Sequence, residues 1–266
     1  MRLLILNAVL GLLAGFALAV TGVIHWGWSI PLALLVFIVG QRQISRLLHR
    51  WLDKRDRDIM DDLCENQKKP QQQTSALRGN AIDNWYEDVN QAIAAFIKLK
   101  RVIPWIPSAK HQISAQLIRL YWASNVDKDF KKVDALFADV RVYRHIQMEI
   151  KITRMYMLKA ETDDIRMFFR QHIGRVYRSE KNVLYSLLAW ILIQRKRIES
   201  AADLLAEAVK ETGDAIIKRN QEHLANNRVS QFSNADFGYA WYYLRLEKTN
   251  AKIHRHRPSH FTKRYY

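Results

Sequence analysis

The chain has 266 residues, with 42 Lys and Arg against 26 Asp and Glu, so its net charge is +16, an excess that favours anionic partners such as phospholipid, nucleic acid or acidic protein faces. At 49% hydrophobic and 11% aromatic it is neither wholly disordered nor collagen-like, and one small membrane segment plus one domain fits its length. Cys64 is the sole cysteine, which excludes an intrachain disulfide or a four-cysteine zinc site, and nine Gly with five Pro are too few for a turn-rich sandwich or barrel, so an all-α protein is expected.

From Leu3 to Ile24 there is no charged side chain, and this run as a helix covers about 33 Å against a bilayer core of about 30 Å. A transmembrane helix is expected. Ala17-Leu18-Ala19 also resembles a signal cleavage site, but a second apolar run, Ile30 to Gly40, follows almost at once. Between them His25-Trp26-Gly27-Trp28-Ser29 has turn character, with two Trp suited to an interface and Ser29 and Pro31 suited to a helix start. The second helix reaches about 28 Å if counted from Trp26 to Ile44 with Arg42 snorkelling; a re-entrant helix is the competing reading. Residues 1–48 therefore read as a transmembrane hairpin, and the basic residues that follow it predict that both termini are cytoplasmic. Gly11, Gly15 and Ala19 form a small-residue ridge for packing against the second helix or another protomer, which leaves a homo-oligomer open.

Over 49–75 the text reads as a basic juxtamembrane helix and a polar linker. Arg42, Arg46, Arg50 and Lys54 recur every four residues beside Ile44, Leu47, Leu48 and Trp51, a pattern for contact with anionic phospholipid or for a solvated face. The stretch ENQKKPQQQT then separates anchor from domain. Ala76 to Val102 predicts a helix with Ile82, Trp85, Val89, Ile93, Phe96 and Leu99 on one side, ended by the break Ile103 to Pro107.

Beyond the break, helix starts recur at a period of about 35 residues, the mark of stacked helical hairpins. First helices are expected near Ser108, Arg144, Glu180 and Asp214, and second helices near Asp127, Thr162, Ser200 and Ser233. Ser200 with Asp203 and Ser233 with Asp236 have capping-box spacing, Thr162 precedes two acids, and Gly213 is placed to end a helix. Ile146, Met148, Ile150 and Ile152 alternate as a strand would, but their neighbours and flanks favour helix. Val183 to Ile193 is apolar throughout and too short for a third span, so a central helix is preferred.

In this region the chain resembles the tetratricopeptide repeat family. Its alternation of large and small residues is best kept by Leu188, Ala189 and Leu192 on one helix and Ala201, Leu205 and Ala208 on the next; Ile152, Thr153, Tyr156, Ile165 and Phe169 follow the same offsets more loosely. The family's helix-ending Pro is missing, with Gly213 standing once in its place. The resemblance implies a solenoid of about four hairpins within 76–248 that binds peptides or proteins. A membrane hairpin followed by such repeats is similar in layout to HemY-type and other bacterial inner-membrane proteins of this family, which implies a cell inner-membrane scaffold, in cell-envelope assembly or polysaccharide export.

No phosphate loop, nucleophile elbow, HExxH or CxxC motif is present, and acidic pairs such as Asp163-Asp164 fall at helix ends, so neither an enzyme nor a cofactor is expected. His254, His256 and His260 alternate with Arg255 and Arg257, which opposes a cation, and no metal is expected. The tail 249–266 mixes basic and aromatic residues, suited to membrane or partner contact, with a disordered tail without a specific partner as the competing reading and, less economically in a tethered chain, nucleic acid. Arg144, Lys151, Arg154, Arg166 and Arg170 are the candidates for a repeat surface that takes an acidic peptide or a membrane-complex subunit; the competing reading spreads them over solvated faces. A membrane-tethered nucleic-acid-binding protein is the alternative function.

Overall fold

A computed structural model describes residues 43, 46–47, 49–62, 78–104, 106, 109–124, 130–140 and 143–247. The expected hairpin over 1–48, with Gly11, Gly15, Ala19 and Arg42, lies outside them except for residues 43, 46 and 47, and so do 63–77 and the tail from 248. Among the described residues the regular structure is helical without a strand, and no described helix is long and apolar enough to cross a membrane. The chain divides into two compact units, 1–120 and 121–266.

In the first unit α1 covers 49–62, α2 Arg78–Leu99, and α3 begins at Ala109 and runs to Ser124 across the division. Val89, Ile93 and Phe96 recur at helical spacing and are buried together on α2. A 3-10 turn, Lys100–Val102, ends that helix ahead of Pro104, which has no N–H to extend the ladder. On α1, Leu52 and Ile59 face inward, and Asp53 and Asp56 accept hydrogen bonds from the amides of Gln112 and Gln116 on α3 at 2.8 and 2.9 Å.

The second unit contains α4 (Lys131–Phe137), α5 (His145–Met157), α6 (Thr162–Ile173), α7 (Lys181–Gln194), α8 (Ile198–Thr212) and α9 (Ala215–Ala225). Arg144, Glu180 and Asp214 stand as N-caps of α5, α7 and α9, where the period places the first helices. Asp214 caps with its own carboxylate, whose Oδ1 accepts from the N–H groups of Ile216 and Ile217 at 2.9 and 3.1 Å. Thr162 opens α6, but α8 starts at Ile198, so Ser200 lies inside the helix and the expected capping box with Asp203 does not form. α5 packs on both α6 and α7, α7 on α8, and α8 on α9. Covered on more than one side, α5 buries Ile146, Met148, Ile150 and Ile152 alike, which is why a helix imitates the alternation of a strand. Leu184, Leu187, Leu188, Ile191 and Leu192 are buried around α7, with Ala189, Ala201 and Ala208 letting α7 and α8 approach closely. Each such Leu or Ile contributes about 1.5–3 kcal/mol by leaving water.

One turn is used three times. After α5 the N–H of Ala160 bonds Met155 O and that of Lys159 bonds Tyr156 O; after α7 Arg197 bonds Leu192 O and Lys196 bonds Ile193 O; after α9 Arg228 bonds His223 O and Asn227 bonds Leu224 O. These are Schellman motifs, and Lys159, Lys196 and Asn227 hold the left-handed position with φ of 58, 59 and 57°. An L residue there is strained by about 1–2 kcal/mol, of which glycine's greater freedom in the unfolded chain cancels part. Lys196→Gly is therefore expected to raise stability by about 0.5–1 kcal/mol, read as a higher urea midpoint at unchanged slope. A lower midpoint would contradict the strain argument.

The helix expected from Ser233 is replaced by 3-10 turns at Val229–Gln231 and Ala235–Phe237 and a single turn, α10 (Tyr239–Tyr242). Buried Asn220 explains the difference. Its amide donates to Ser233 O at 2.9 Å and Asn234 Oδ1 at 3.1 Å, its Oδ1 accepts from Ser233 N–H, and Asn234 in turn donates to Ser186 O. The backbone is thus held by side chains, and Gly238 adopts φ 58° and ψ −129°, a region essentially restricted to glycine. Beyond it, Glu247 is clamped between two indoles, with Trp190 Nε1 and Trp241 Nε1 donating at 2.7 and 2.8 Å, while Trp122 Nε1 donates to Tyr243 O at 2.8 Å.

Candidate functional site

The expected partner-binding cations fall into three settings. Arg166 and Arg170, one turn apart on α6, line a small groove of about 100 Å³ whose other walls are Leu188 and Leu192 of α7 and Asp203 and Glu207 of α8. The groove exists because α7 is recessed between two helices that carry their charged faces outward. Arg170 makes a two-pronged contact with Glu207, its Nη2 donating to Oε2 at 2.6 Å, and these bonds hold the Glu207 carboxyl below the usual range. Arg166 is 3.9 Å from Asp163, which also accepts from Arg197 at 3.0 Å. An incoming carboxylate therefore meets cations that already have internal partners, and must exchange with Glu207 or Asp163 to bind.

Lys151 and Arg154 lie elsewhere, against α4 and the residue before it. The Lys151 ammonium is 4.8 Å from the centroid of the Phe137 ring. Arg154 is only 8% exposed; its Nε and Nη2 donate to the two carboxylate oxygens of Asp134 at 2.9 and 2.6 Å, and its guanidinium lies over Phe130. Its charge is thus met inside the fold. Arg144 is exposed at the start of α5 and faces Glu180, whose Oε2 is 3.1 Å from His145 Nδ1.

Two charged arrangements escape sequence reasoning. Tyr185 on α7 donates to Glu207 and Glu211 of α8, and Lys181 pairs with Glu211, so a row of polar bonds runs from Arg170 to Lys181 along the α7–α8 contact. Burial, then the bond to Glu211, raise the Tyr185 phenol far above its ordinary range, keeping it a donor. Asp203, Glu207 and Glu211 share one helix face at a spacing of four, the one sign of this row in the text. The second arrangement is buried Glu149 on α5. Burial, then the charge of Glu180, push its carboxyl up to about 8. In the unfolded chain this carboxyl titrates near 4.5, so between there and 8 the folded state binds the extra proton and stability falls as pH rises. Glu149→Gln is expected to flatten that fall: its stability relative to the parent chain should grow between pH 5 and pH 8, measured by urea unfolding at each pH. A constant difference would show that Glu149 does not titrate there.

Among the described residues no cluster of His, Cys, Asp or Glu could hold a metal ion. No protein-family model matches the chain, and neither a curated protein nor a solved structure matches it.

Proposed function

We propose that the chain is a non-enzymatic scaffold of a cell inner membrane. A transmembrane hairpin over 1–48 anchors it with both termini cytoplasmic, and a tetratricopeptide-like solenoid of about four helical hairpins within 76–248 binds protein partners, in cell-envelope assembly or polysaccharide export. The observation that carries this reading is the repeated turn after α5, α7 and α9, one motif closing the first helix of successive pairs, as expected of a stacked array. It leaves Arg166 and Arg170 along a groove whose apolar floor and exchangeable ion pairs suit an acidic peptide segment or a membrane-complex subunit.

A photocrosslinking residue at exposed Met167, between the two arginines, tests this in intact membranes holding the full chain. The reading expects a defined protein adduct that is lost in the Arg166→Glu, Arg170→Glu variant and enhanced by Glu207→Gln, which removes the internal competitor of Arg170. No adduct, or one indifferent to both variants, would sink it. A nucleic-acid adduct that dissolves with salt would instead support membrane-tethered nucleic-acid binding.

A further inference from the structure

Helices α6 and α8 lie side by side and run in the same direction. At the start of α6, Asp163 accepts from Arg197, just ahead of α8, at 3.0 Å; farther along, Arg170 is bonded to Glu207; past both ends, Arg178 Nη2 comes within 3.8 Å of where a side chain on Gly213 would begin. Between the first two contacts the pairing lapses. One turn before Arg170 and Glu207 stand Arg166 and Asp203, a cation and a carboxylate that line the same groove of about 100 Å³ without reaching each other. Arg166 has only Asp163, at 3.9 Å. Among the described residues Asp203 has no ion pair or hydrogen bond, and the half-buried Ser200, on the same wall of the groove, has no partner for its hydroxyl.

Opposite charges that face one another across a gap select against a ligand of one sign. A carboxylate alone satisfies Arg166 and is repelled by Asp203; an ammonium alone meets the reverse. A ligand that carries both, its anion toward α6 and its cation toward α8, completes two ion pairs at once, and the Ser200 hydroxyl can accept from the same cation. The leucines beneath, Leu188, Leu192 and Leu204, are 1, 1 and 5% exposed, so they have little surface left to bury and the charges decide what binds. Volume decides its bulk. The groove holds about three waters' worth of liquid and falls short of the roughly 300 Å³ of a cleft that encloses a small molecule. It suits the ends of two side chains carried by a larger partner.

We infer that the partner of this groove is a polypeptide segment of mixed charge, which presents a carboxylate to Arg166 and a Lys or Arg side chain to Asp203 and Ser200, and not a purely acidic one. The inference rests on the reading of the groove as a protein-binding site and narrows the chemistry of what it takes. The ion pairs toward either end, Arg197 with Asp163 and Arg170 with Glu207, stay closed, so the partner's two charges enter between them.

The test uses the full chain in detergent and four fluorescent, capped, alanine-based helical peptides. At two positions four apart they carry Glu and Lys, Glu and Gln, Gln and Lys, or Gln twice. Anisotropy titration is expected to rank the Glu and Lys peptide first, about 2–5-fold tighter than the Glu and Gln one, the worth of a single solvent-exposed ion pair. Asp203→Asn should bring those two to the same affinity, and Arg166→Gln should abolish the preference for Glu over Gln. Salt should shrink both preferences as the Debye length falls. Asp203 is exposed and has no partner to lose, so Asp203→Asn should leave thermal unfolding of the chain unchanged. Equal affinity for the Glu and Lys and the Glu and Gln peptides, a preference that survives Asp203→Asn, or binding of none of the four would overturn the inference. The crosslink at Met167 decides the scaffold reading separately: a protein adduct there together with equal peptide affinities keeps the scaffold and discards the mixed-charge partner.

Discussion

Trp241→Ala is expected to lower the stability of the second unit by about 3–5 kcal/mol, among the largest losses from a single side chain in this protein. The indole is buried, lies 6.0 Å from the Trp190 ring, and holds one oxygen of Glu247 while Trp190 holds the other. Its removal leaves a cavity and a carboxylate with one of its two donors missing, and α10 is too short to be helical without this contact. Trp241→Phe separates the contributions: most of the volume stays, the N–H is lost, and about 1–2 kcal/mol should go with it. Urea unfolding followed by circular dichroism measures both. A loss below about 1 kcal/mol for the alanine variant would mean that residues 239–247 are only loosely attached.

Arg154→Ala should cost about 3 kcal/mol, because it removes a buried cation from a two-pronged pair with Asp134 and strips a flat packing surface from Phe130. The informative companion is Asp134→Ala. It leaves the guanidinium in place without its carboxylate, and the penalty should approach that of the arginine variant even though Asp134 is partly exposed. Replacing both residues, Arg154 by Met and Asp134 by Leu, is expected to recover most of the loss, since a hydrophobic pair of like volume avoids desolvating charge. Calorimetric melting of the three variants decides it; a double variant as unstable as either single one would mean that the ion pair is worth more than its desolvation cost.

The contrast between Arg154 and Arg170 shows where a single sequence stops being informative. Both are basic residues of helices in the second unit, and periodicity treats them alike. What separates them is the partner, Asp134 at a burial that removes the guanidinium from solvent, or Glu207 on an open groove, and neither partner is visible without the fold. Helix starts were more legible. Arg144, Glu180 and Asp214 could be placed because helix starts recur in the sequence at nearly constant spacing, and the same arithmetic put the start of α8 two residues late because the chain re-enters helix directly from the left-handed turn at Lys196. After Ser233 local pattern fails outright: Asn220 supplies the hydrogen bonds that a helix would otherwise supply, from a position 13 residues away. Trp190 and Glu247 are farther apart still, at 57 residues, so their bond leaves no local trace.

The all-round burial of α7 has a consequence for how the chain is made. Its apolar surface is covered on one side by α5 and α6, which precede it, and on the other by α8, which follows. With synthesis running at about 5–20 residues per second, α7 emerges on the order of a second before α8, the next helix to cover it. During that interval a greasy segment, too short to be held by a bilayer, is exposed beside the ribosome.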